Sequence, residues 1–173
     1  MTDSIVTFRE KHDGELGDAA LDSETREAVR LWLRLLSCTM VIEKRVRRGL
    51  AEQFQTTLPR FDILAALDRA EQGLSMGALG RALLVSNGNI TGLVQTLVRD
   101  GDVRLSNAPG DRRTAIVQLT PEGRERFRAM AATHHGWIAE LLGGLTGPDR
   151  AALLKQLGGL QASIAAAGTE FDQ

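Results

Sequence analysis

The segment SNGNITGLVQTLVRDG, residues 86–101, carries hydrogen-bonding side chains at helical spacing. If it forms a helix, its apolar residues fall on one face around Val94, namely Ile90, Leu93, Leu97 and Val98. The opposite face then has no large apolar group and carries Gly88, Asn89, Gly92, Gln95, Thr96 and Arg99. Asn and Gln can make paired hydrogen bonds to adenine in the major groove of DNA, and glycine allows a close approach of the backbone. A solvated face of poor helix formers explains the same pattern, so this helix alone leaves both interpretations open.

A turn-forming stretch rich in arginine follows this segment. The stretch NAPGDRR, residues 107–113, separates two patterns typical of short strands, DVRLS and TAIVQLT. Arg112 and Arg113 are therefore predicted near the tip of a hairpin, with Arg104 on the incoming strand. Arginine at such a tip can enter a narrow minor groove, where the negative potential is enhanced, and Asp111 can orient it by a charge-assisted bond. A solvated turn is the alternative, but a polar helix followed directly by this hairpin favours DNA binding.

The elements that position these side chains follow from apolar periodicity and from cap residues. Helices are predicted over about 23–54, 59–70, 75–84, 86–100, 120–142 and 148–167, with Ser75, Ser86 and Thr120 as N-caps. Three central helices followed by a hairpin make a winged helix-turn-helix. The predicted fold is mainly α with a small β-hairpin wing, and the outer N- and C-terminal helices remain for a dimer interface.

The predicted domain organisation is simple. Residues 1–22 are polar and acidic and are expected to form a flexible arm, whereas residues 23–173 form a single domain. Within that domain the DNA-binding lobe spans about 58–120, and the dimerisation helices span about 23–54 and 120–167.

Composition and charge narrow the class of protein. The net charge of the 173 residues is −1, but residues 1–27 hold 8 acids and 3 bases, whereas residues 44–128 hold 14 bases and 9 acids. Affinity for DNA depends on local cationic patches and not on the net charge. The N-terminus has no apolar signal segment and the chain has a single cysteine, which predicts a cytoplasmic protein. No nucleophile elbow, phosphate-binding loop or dinucleotide motif is present, so neither an enzyme nor a cofactor is predicted.

The stretch from Leu58 to Gly123 resembles the core of the multiple antibiotic resistance regulator (MarR) family almost element for element. The sequence DRR of the wing followed by QLTPEG is the most specific part, and the similarity extends over about residues 28–166. This resemblance implies a homodimer that binds a palindromic operator. The recognition-helix residues that it places against DNA are Ser86, Asn87, Gly88, Asn89, Thr91, Gly92 and Gln95. The role of the wing arginine falls on Arg112 or Arg113. Asp102 departs from the family pattern, and an acid near the groove is expected to weaken non-specific binding.

Members of the family often bind a small molecule between the dimerisation helices and the DNA-binding lobe. The candidate residues for such a site here are Trp32, Arg34, Phe61, His134, His135 and Trp137. The segments SNGNITGLV and LPRFDILAAL resemble those of the branch of the family that is associated with aromatic-compound catabolism. The expected effector is therefore an aromatic acid or its coenzyme A thioester. Packing at an interface explains the same aromatic and histidine residues.

The sequence therefore predicts a ligand-responsive repressor that an effector releases from its operator. Two alternatives remain: a redox-sensing regulator that uses Cys38, and a protein-interaction module on the same fold. A thiol reacts when its pKa is lowered and it is accessible, and Arg34 and Arg45 offer positive charge near Cys38. Cys38 could be combined with His134 and His135 as zinc ligands. The two histidines are adjacent to each other, however, and the ligand spacing typical of a zinc site is absent, so no metal is predicted.

Overall fold

The computed structural model describes residues 22–83, 87–108 and 111–171, and at 87–89, 108, 111–113 and 168–171 it describes the backbone alone. The elements in chain order are α1 Ser23–Phe54, α2 Leu58–Asp68, β1 Leu74–Ser75, α3 Met76–Leu83, α4 Asn87–Arg99, β2 Val103–Ala108, β3 Asp111–Leu119, α5 Pro121–Leu141 and α6 Gly147–Phe171. The mainly helical fold with a small antiparallel sheet is confirmed. The predicted acidic arm, up to residue 21, and the predicted cap Ser86 lie outside the described residues.

Hydroxyl side chains and one glycine set the ends of the helices that form the DNA-binding lobe. The Oγ of Ser75 accepts a hydrogen bond from the backbone N–H of Ala78 at 3.2 Å. The Oγ1 of Thr120 accepts one from Gly123 at 2.9 Å. These contacts satisfy N–H groups that have no partner within the helix, and both caps were predicted. Gly101 then ends α4 with a φ of 76°, a conformation that glycine adopts without steric cost.

The sheet has three antiparallel strands in the order β1-β3-β2. Val103 pairs with Leu119 at the base of the hairpin, and Ala108 pairs with Asp111 at its far end. The loop prediction for residues 107–113 was therefore too long, because β2 and β3 extend into it. Asn107 pairs with Ala115 and Ala108 with Asp111, with a shift of register between the two pairs, so cross-strand pairing extends into this polar stretch despite its loop-like composition. Strand β1, only two residues long, was not predicted; it joins β3 through Leu74, which pairs with Val117.

The buried stripe of α4 holds this helix against α2 and α3. Ile90, Val94 and Leu97 are fully buried, as predicted. Val98 was predicted to join them but is 37% exposed. Around the helix axis, the buried stripe is centred on the side of Val94 where Ile90 and Leu97 lie. Val98 falls on the other side of Val94, at the edge of the stripe and one residue before the end of the helix. Other buried apolar side chains come from the end of α1, from α2, α3, the sheet and the first half of α5: Val46, Leu50, Phe61, Ile63, Leu64, Leu67, Leu79, Val103, Val117, Leu119, Phe127 and Met130.

The chain divides into two compact units, the first ending at Thr133 and the second beginning at His134. Large apolar side chains are exposed in each of them. In α1 these include Leu31, Trp32 and Met40, and in α6 they include Leu154 and Ile164. Among the described residues no helix is both long and apolar enough to cross a membrane.

Candidate nucleic-acid interface

The exposed face of α4 is polar and sterically open. Thr91, Gly92 and Gln95 are all exposed. A Cβ atom added at Gly92 would meet nothing within 4 Å, so this part of the surface is free of neighbouring protein atoms. The hydroxyl of Thr96 is already used, because it donates to the carbonyl oxygen of Gly92 at 3.0 Å. This face can therefore approach a flat or concave partner closely, as a helix does in the major groove.

The remaining predicted recognition residues lie at the start of the same helix. Asn87, Gly88 and Asn89 form the first turn of α4. A recognition helix of this kind contacts bases mainly through its N-terminal residues. The backbone thus brings all the predicted α4 residues that the structure describes onto one helix, but their contact with DNA stays a prediction.

The wing carries its predicted cations close to its far end. Asp111, Arg112 and Arg113 are the first three residues of β3, directly after the hairpin connection. Arg104 lies on β2 opposite Gln118 in the register and is exposed. The pairing of β2 with β3 is regular from Val103–Leu119 to Asn107–Ala115 and holds Arg104 in register. It shifts between Asn107 and Ala108, so Arg112 and Arg113 lie in an irregular part of the hairpin.

A cluster of acids and arginines lies where α4 ends and the wing begins. Arg60 on α2 forms an ion pair with Asp100, and its Nη2 lies 4.0 Å from the Oδ2 of Asp102. On α5, the Nε of Arg126 lies 2.8 Å from the Oδ1 of Asp102, and its Nη2 donates to the carbonyl oxygen of Asp100 at 2.9 Å. We call Arg60, Asp100, Asp102 and Arg126 the acid–arginine cluster.

Asp102, which was expected to weaken non-specific DNA binding as an acid near the groove, is not a surface acid. The side chain is buried, with an exposed fraction of 6% for the residue, and two arginines neutralise it within the protein. A buried carboxylate that is paired in this way contributes little to the field outside the molecule. The sequence offered no indication of this burial, since Arg60 and Arg126 are distant from Asp102 along the chain.

The backbone joins the same elements beside the cluster. The hydroxyl of Thr120 donates to the carbonyl oxygen of Gly101 at 2.7 Å, and the N–H of Thr120 donates to that of Asp102 at 3.0 Å. Gly123 packs so closely that an added Cβ would lie 1.9 Å from the carbonyl oxygen of Asp102. The first turn of α5 therefore contacts the backbone that connects α4 to the wing.

Asp102 and Asp22 should contribute to the free energy of unfolding with opposite dependence on pH. Burial raises the pKa of Asp102 above its ordinary value of 3.8, although Arg126 and Arg60 oppose this shift. Its stabilising contribution is therefore present below that value and lost as the pH rises through the folded-state pKa. The backbone hydrogen bond from Thr25 lowers the pKa of Asp22. Its contribution is present above 3.8 and lost as the pH falls through the folded-state pKa.

Urea unfolding of the wild type and of two variants, between about pH 3 and pH 6, measures these contributions. The free energy of unfolding of the wild type minus that of Asp102→Asn should fall as the pH rises. The difference between the wild type and Asp22→Asn should rise. Differences that change in the same direction would contradict the assigned environments of the two carboxyl groups.

The predicted effector residues are distributed over both units of the chain. Trp32 and Arg34 are exposed on α1 and, being two residues apart, do not share one face of the helix. Phe61 is buried and packs against Phe127, with ring centroids 5.5 Å apart. In the second unit, His134 and Trp137 make an edge contact at 6.5 Å between ring centroids. Whether these residues bind an effector stays a prediction.

A groove of about 550 Å³ lies at the base of the wing and is lined by none of these predicted effector residues. Arg104, Gln118 and Arg124 are among the residues that form it. Arg124 pairs with Asp68 at 2.6 Å. Cys38, the other candidate for sensing, is a free and exposed cysteine on α1.

The elements described above define a class of protein. The helix α4 packs on α2 and α3 and exposes a polar face, and the hairpin of β2 and β3 that follows it carries arginines. This arrangement is that of a winged-helix DNA-binding protein.

Comparison with known proteins agrees with this class. A family model described as "MarR family" matches residues 54–114. The chain is 34% identical over 129 residues to the transcriptional activatory protein BadR of Rhodopseudomonas palustris, an alignment that covers 73% of each protein. It is 31% identical over 114 residues to the HTH-type transcriptional repressor YetL of Bacillus subtilis, covering 65% of each. A crystal structure of a MarR family transcriptional regulator from Silicibacter pomeroyi matches with a TM-score of 0.71 and 32% identity, covering 83% of this chain and 99% of that one.

The chain belongs to the MarR family of winged-helix transcriptional regulators. Members of this family bind DNA as dimers, and they are regulators of transcription, not enzymes. The predictions of the family, of DNA binding and of a non-enzymatic function are confirmed.

Proposed function

We propose that this protein is a homodimeric regulator that reads a palindromic operator with α4 of each protomer. The single observation that carries the proposal is the open polar face of α4, with exposed Thr91, Gly92 and Gln95, opposite a fully buried stripe. A rigidly seated helix with such a face can enter the major groove without unfolding any part of the lobe. Two copies related by a two-fold axis would then read half-sites about one helical turn apart, about 34–36 Å.

The proposed dimer interface uses the outer helices. Both helices expose several large apolar side chains, among them Trp32, 57% exposed on α1, and Leu154, 72% exposed on α6. Solvation of these groups is unfavourable, by about 25 cal/mol for each Å² of apolar surface. A second copy that covered both helices would remove this cost, and a permanent homodimer of this kind would bury more than about 2,000 Å².

The proposed role of the wing is to hold the dimer on the DNA backbone and in the minor groove through Arg112 or Arg113. The double variant Arg112→Ala/Arg113→Ala should weaken binding to operator and scrambled duplexes alike, because phosphate contacts carry no sequence information. The dependence of log K on log salt should flatten by about one for each arginine that no longer neutralises a phosphate. Fluorescence anisotropy titrations at several salt concentrations measure both effects.

The matched control removes two arginines outside the wing. Arg128 pairs with Glu125 at 2.7 Å, and Arg150 donates to the carbonyl oxygen of Leu145; both are exposed. Arg128→Ala/Arg150→Ala changes the net charge equally and should retain most of the affinity. If affinity and salt dependence fell to the same extent in the two double variants, the wing would have no special role.

The proposed mode of regulation is repression in the cytoplasm, relieved by an aromatic acid or its coenzyme A thioester. The residues proposed for effector binding, each within its own unit, are Trp32, Arg34 and Phe61 in the first unit and His134 and Trp137 in the second; they offer aromatic rings and a cation. The contact between His134 and Trp137 supports an aromatic environment in the second unit. Burial and the neighbouring His135 lower the pKa of His134, which favours the neutral form of its imidazole.

A thermal-shift screen tests the effector directly. A ligand at 100 times its Kd stabilises the folded protein by about 2.7 kcal/mol, which is a readily measured increase in Tm. Aromatic acids and their thioesters should raise the Tm, whereas aliphatic acids of the same charge should not. Any active compound should also release the operator and restore transcription from a promoter that overlaps it. Equal shifts with both classes of acid would contradict an aromatic site.

A further inference from the structure

We propose that the acid–arginine cluster is a positioning device, which fixes the tilt of α4 and of the wing so that both meet the operator in register. This inference rests on the proposed function, because it concerns how the DNA-reading elements are held. Its members are positioning residues, since they act through the orientation of α4 rather than by contact with a base.

The cluster holds the C-terminal end of α4 from two sides. Arg60 approaches from the first turn of α2 and binds the carboxylate of Asp100, which directly follows α4. Arg126 approaches from α5, where it pairs with Asp102 and also donates to the carbonyl oxygen of Asp100. These two restraints come from different helices, and they add to the buried stripe of α4 in fixing the direction of the helix.

The same cluster fixes the start of the wing. Asp102 immediately precedes β2, and its backbone carbonyl accepts the N–H of Thr120, the residue that precedes α5. The buried Asp102 therefore lies between the last turn of α4, the first residue of β2 and the first turn of α5. A change in the cluster would move the helix and the wing together.

The distance along α4 explains why a small tilt matters. The helix has 13 residues, Asn87–Arg99, so its first turn lies about 18 Å from the cluster. A tilt of about 5° at the cluster would displace that first turn by about 1.6 Å, whereas hydrogen bonds form over a range of only about 0.5 Å. The predicted hydrogen bonds from the first turn to the bases would therefore break while the fold stayed intact.

Stability alone does not account for a buried acid at this position. Desolvation of a buried ion pair often offsets its attraction, and an apolar replacement of similar size is frequently as stable. The raised pKa of Asp102 agrees with this, because burial outweighs the two arginines. The effect of the cluster on geometry is clearer than its effect on stability. Its ion pairs and hydrogen bonds are directional, so they restrain the orientation of α4 more closely than an apolar contact would.

The test uses Arg126→Met, which keeps an unbranched apolar stem but removes the charge and the hydrogen-bond donors. The DNA is a duplex that the wild-type protein selects from a randomised pool, together with a scrambled duplex of the same composition. Anisotropy titrations at several salt concentrations and a melting curve are recorded for each variant. Arg128→Met, two residues further along α5 and engaged in an exposed ion pair with Glu125, is the matched control. Asp100→Asn, which removes the charge that Arg60 binds and keeps the size of the side chain, is the second variant.

The ratio of operator affinity to scrambled-duplex affinity should fall by about tenfold or more in Arg126→Met, which corresponds to one paired base contact. The affinity for the scrambled duplex should fall much less than that for the operator, and the salt dependence should change little, because the wing keeps its charges; Arg126→Lys should recover part of the ratio. Arg128→Met should behave as the wild type. If Arg126→Met does not fold, the same fall in Asp100→Asn supports the proposal.

Three results would overturn it. The first is a folded variant of the cluster with an unchanged ratio. The second is an equal loss on both duplexes, which would indicate a general defect. The third is a salt dependence that falls by about one in Arg126→Met, because Arg126 would then contact a phosphate itself. If the wild type selects no duplex from the pool, the proposed function fails instead, so the two failures are distinguishable.

Discussion

Replacing Gly92 with leucine should strongly weaken operator binding while leaving the fold intact. Gly92 lies in the middle of the exposed face of α4, and an added Cβ meets nothing within 4 Å, so the protein itself has room for the side chain. Leucine also has a higher helix propensity than glycine, and the melting temperature should be retained or slightly raised. In the proposed complex, however, the branched side chain would hold α4 away from the major groove.

We expect a loss of at least about 100-fold in affinity, which is about 2.7 kcal/mol. Gly92→Ala adds only a Cβ and should give a smaller loss, so that the effect grows with the size of the side chain. Titration on operator and scrambled duplexes, with a melting curve for each variant, measures this series. A Gly92→Leu protein that melts normally and binds operator at full strength would show that another face meets DNA.

Replacing Gly123 with alanine should destabilise the protein by about 2–3 kcal/mol, the cost typical of overpacking a tight contact. Its Cβ would lie 1.9 Å from the carbonyl oxygen of Asp102 and 2.6 Å from the carbonyl carbon. These are backbone atoms, so neither can move aside as a flexible side chain would. The better helix propensity of alanine, about 1 kcal/mol, is too small to compensate.

Gly136→Ala is the matched control, because it makes the same change in the same helix, α5, at an exposed position where the Cβ meets nothing within 4 Å. It should be neutral or stabilise the protein by up to about 1 kcal/mol. Urea unfolding measures both variants. Equal effects of the two substitutions would contradict the close packing of α5 on the junction between α4 and the wing.

Local patterns in the sequence predicted much of the fold. The bounds of α1 were predicted correctly from apolar spacing. The caps at Ser75 and Thr120 followed from residue type, because a hydroxyl just before an apolar run satisfies the first N–H groups of a helix. The buried stripe of α4 followed from its period, apart from Val98, whose position at the edge depends on how the helix is seated on its neighbours.

Features that depend on contacts between distant residues could not be predicted. The two-residue strand β1 is too short to carry a pattern and exists through its pairing with β3. Asp102 looks like a surface acid in the sequence, because its partners Arg60 and Arg126 come from two other helices. For the candidate site, residue types indicated the face of α4 and the wing, but nothing in the chain indicated the cluster that holds them.

The central claim is that two copies of this chain read one palindrome through α4. The most direct measurement is a titration of the wild-type protein on a selected palindromic duplex and on a duplex with only one half-site, with the mass of each complex determined by light scattering. We predict two chains on the palindrome, strong salt dependence, and an affinity at least about 1,000-fold above that for scrambled DNA. The half-site should bind much more weakly. A single chain per duplex, or equal affinity for palindromic and scrambled DNA, would contradict the account.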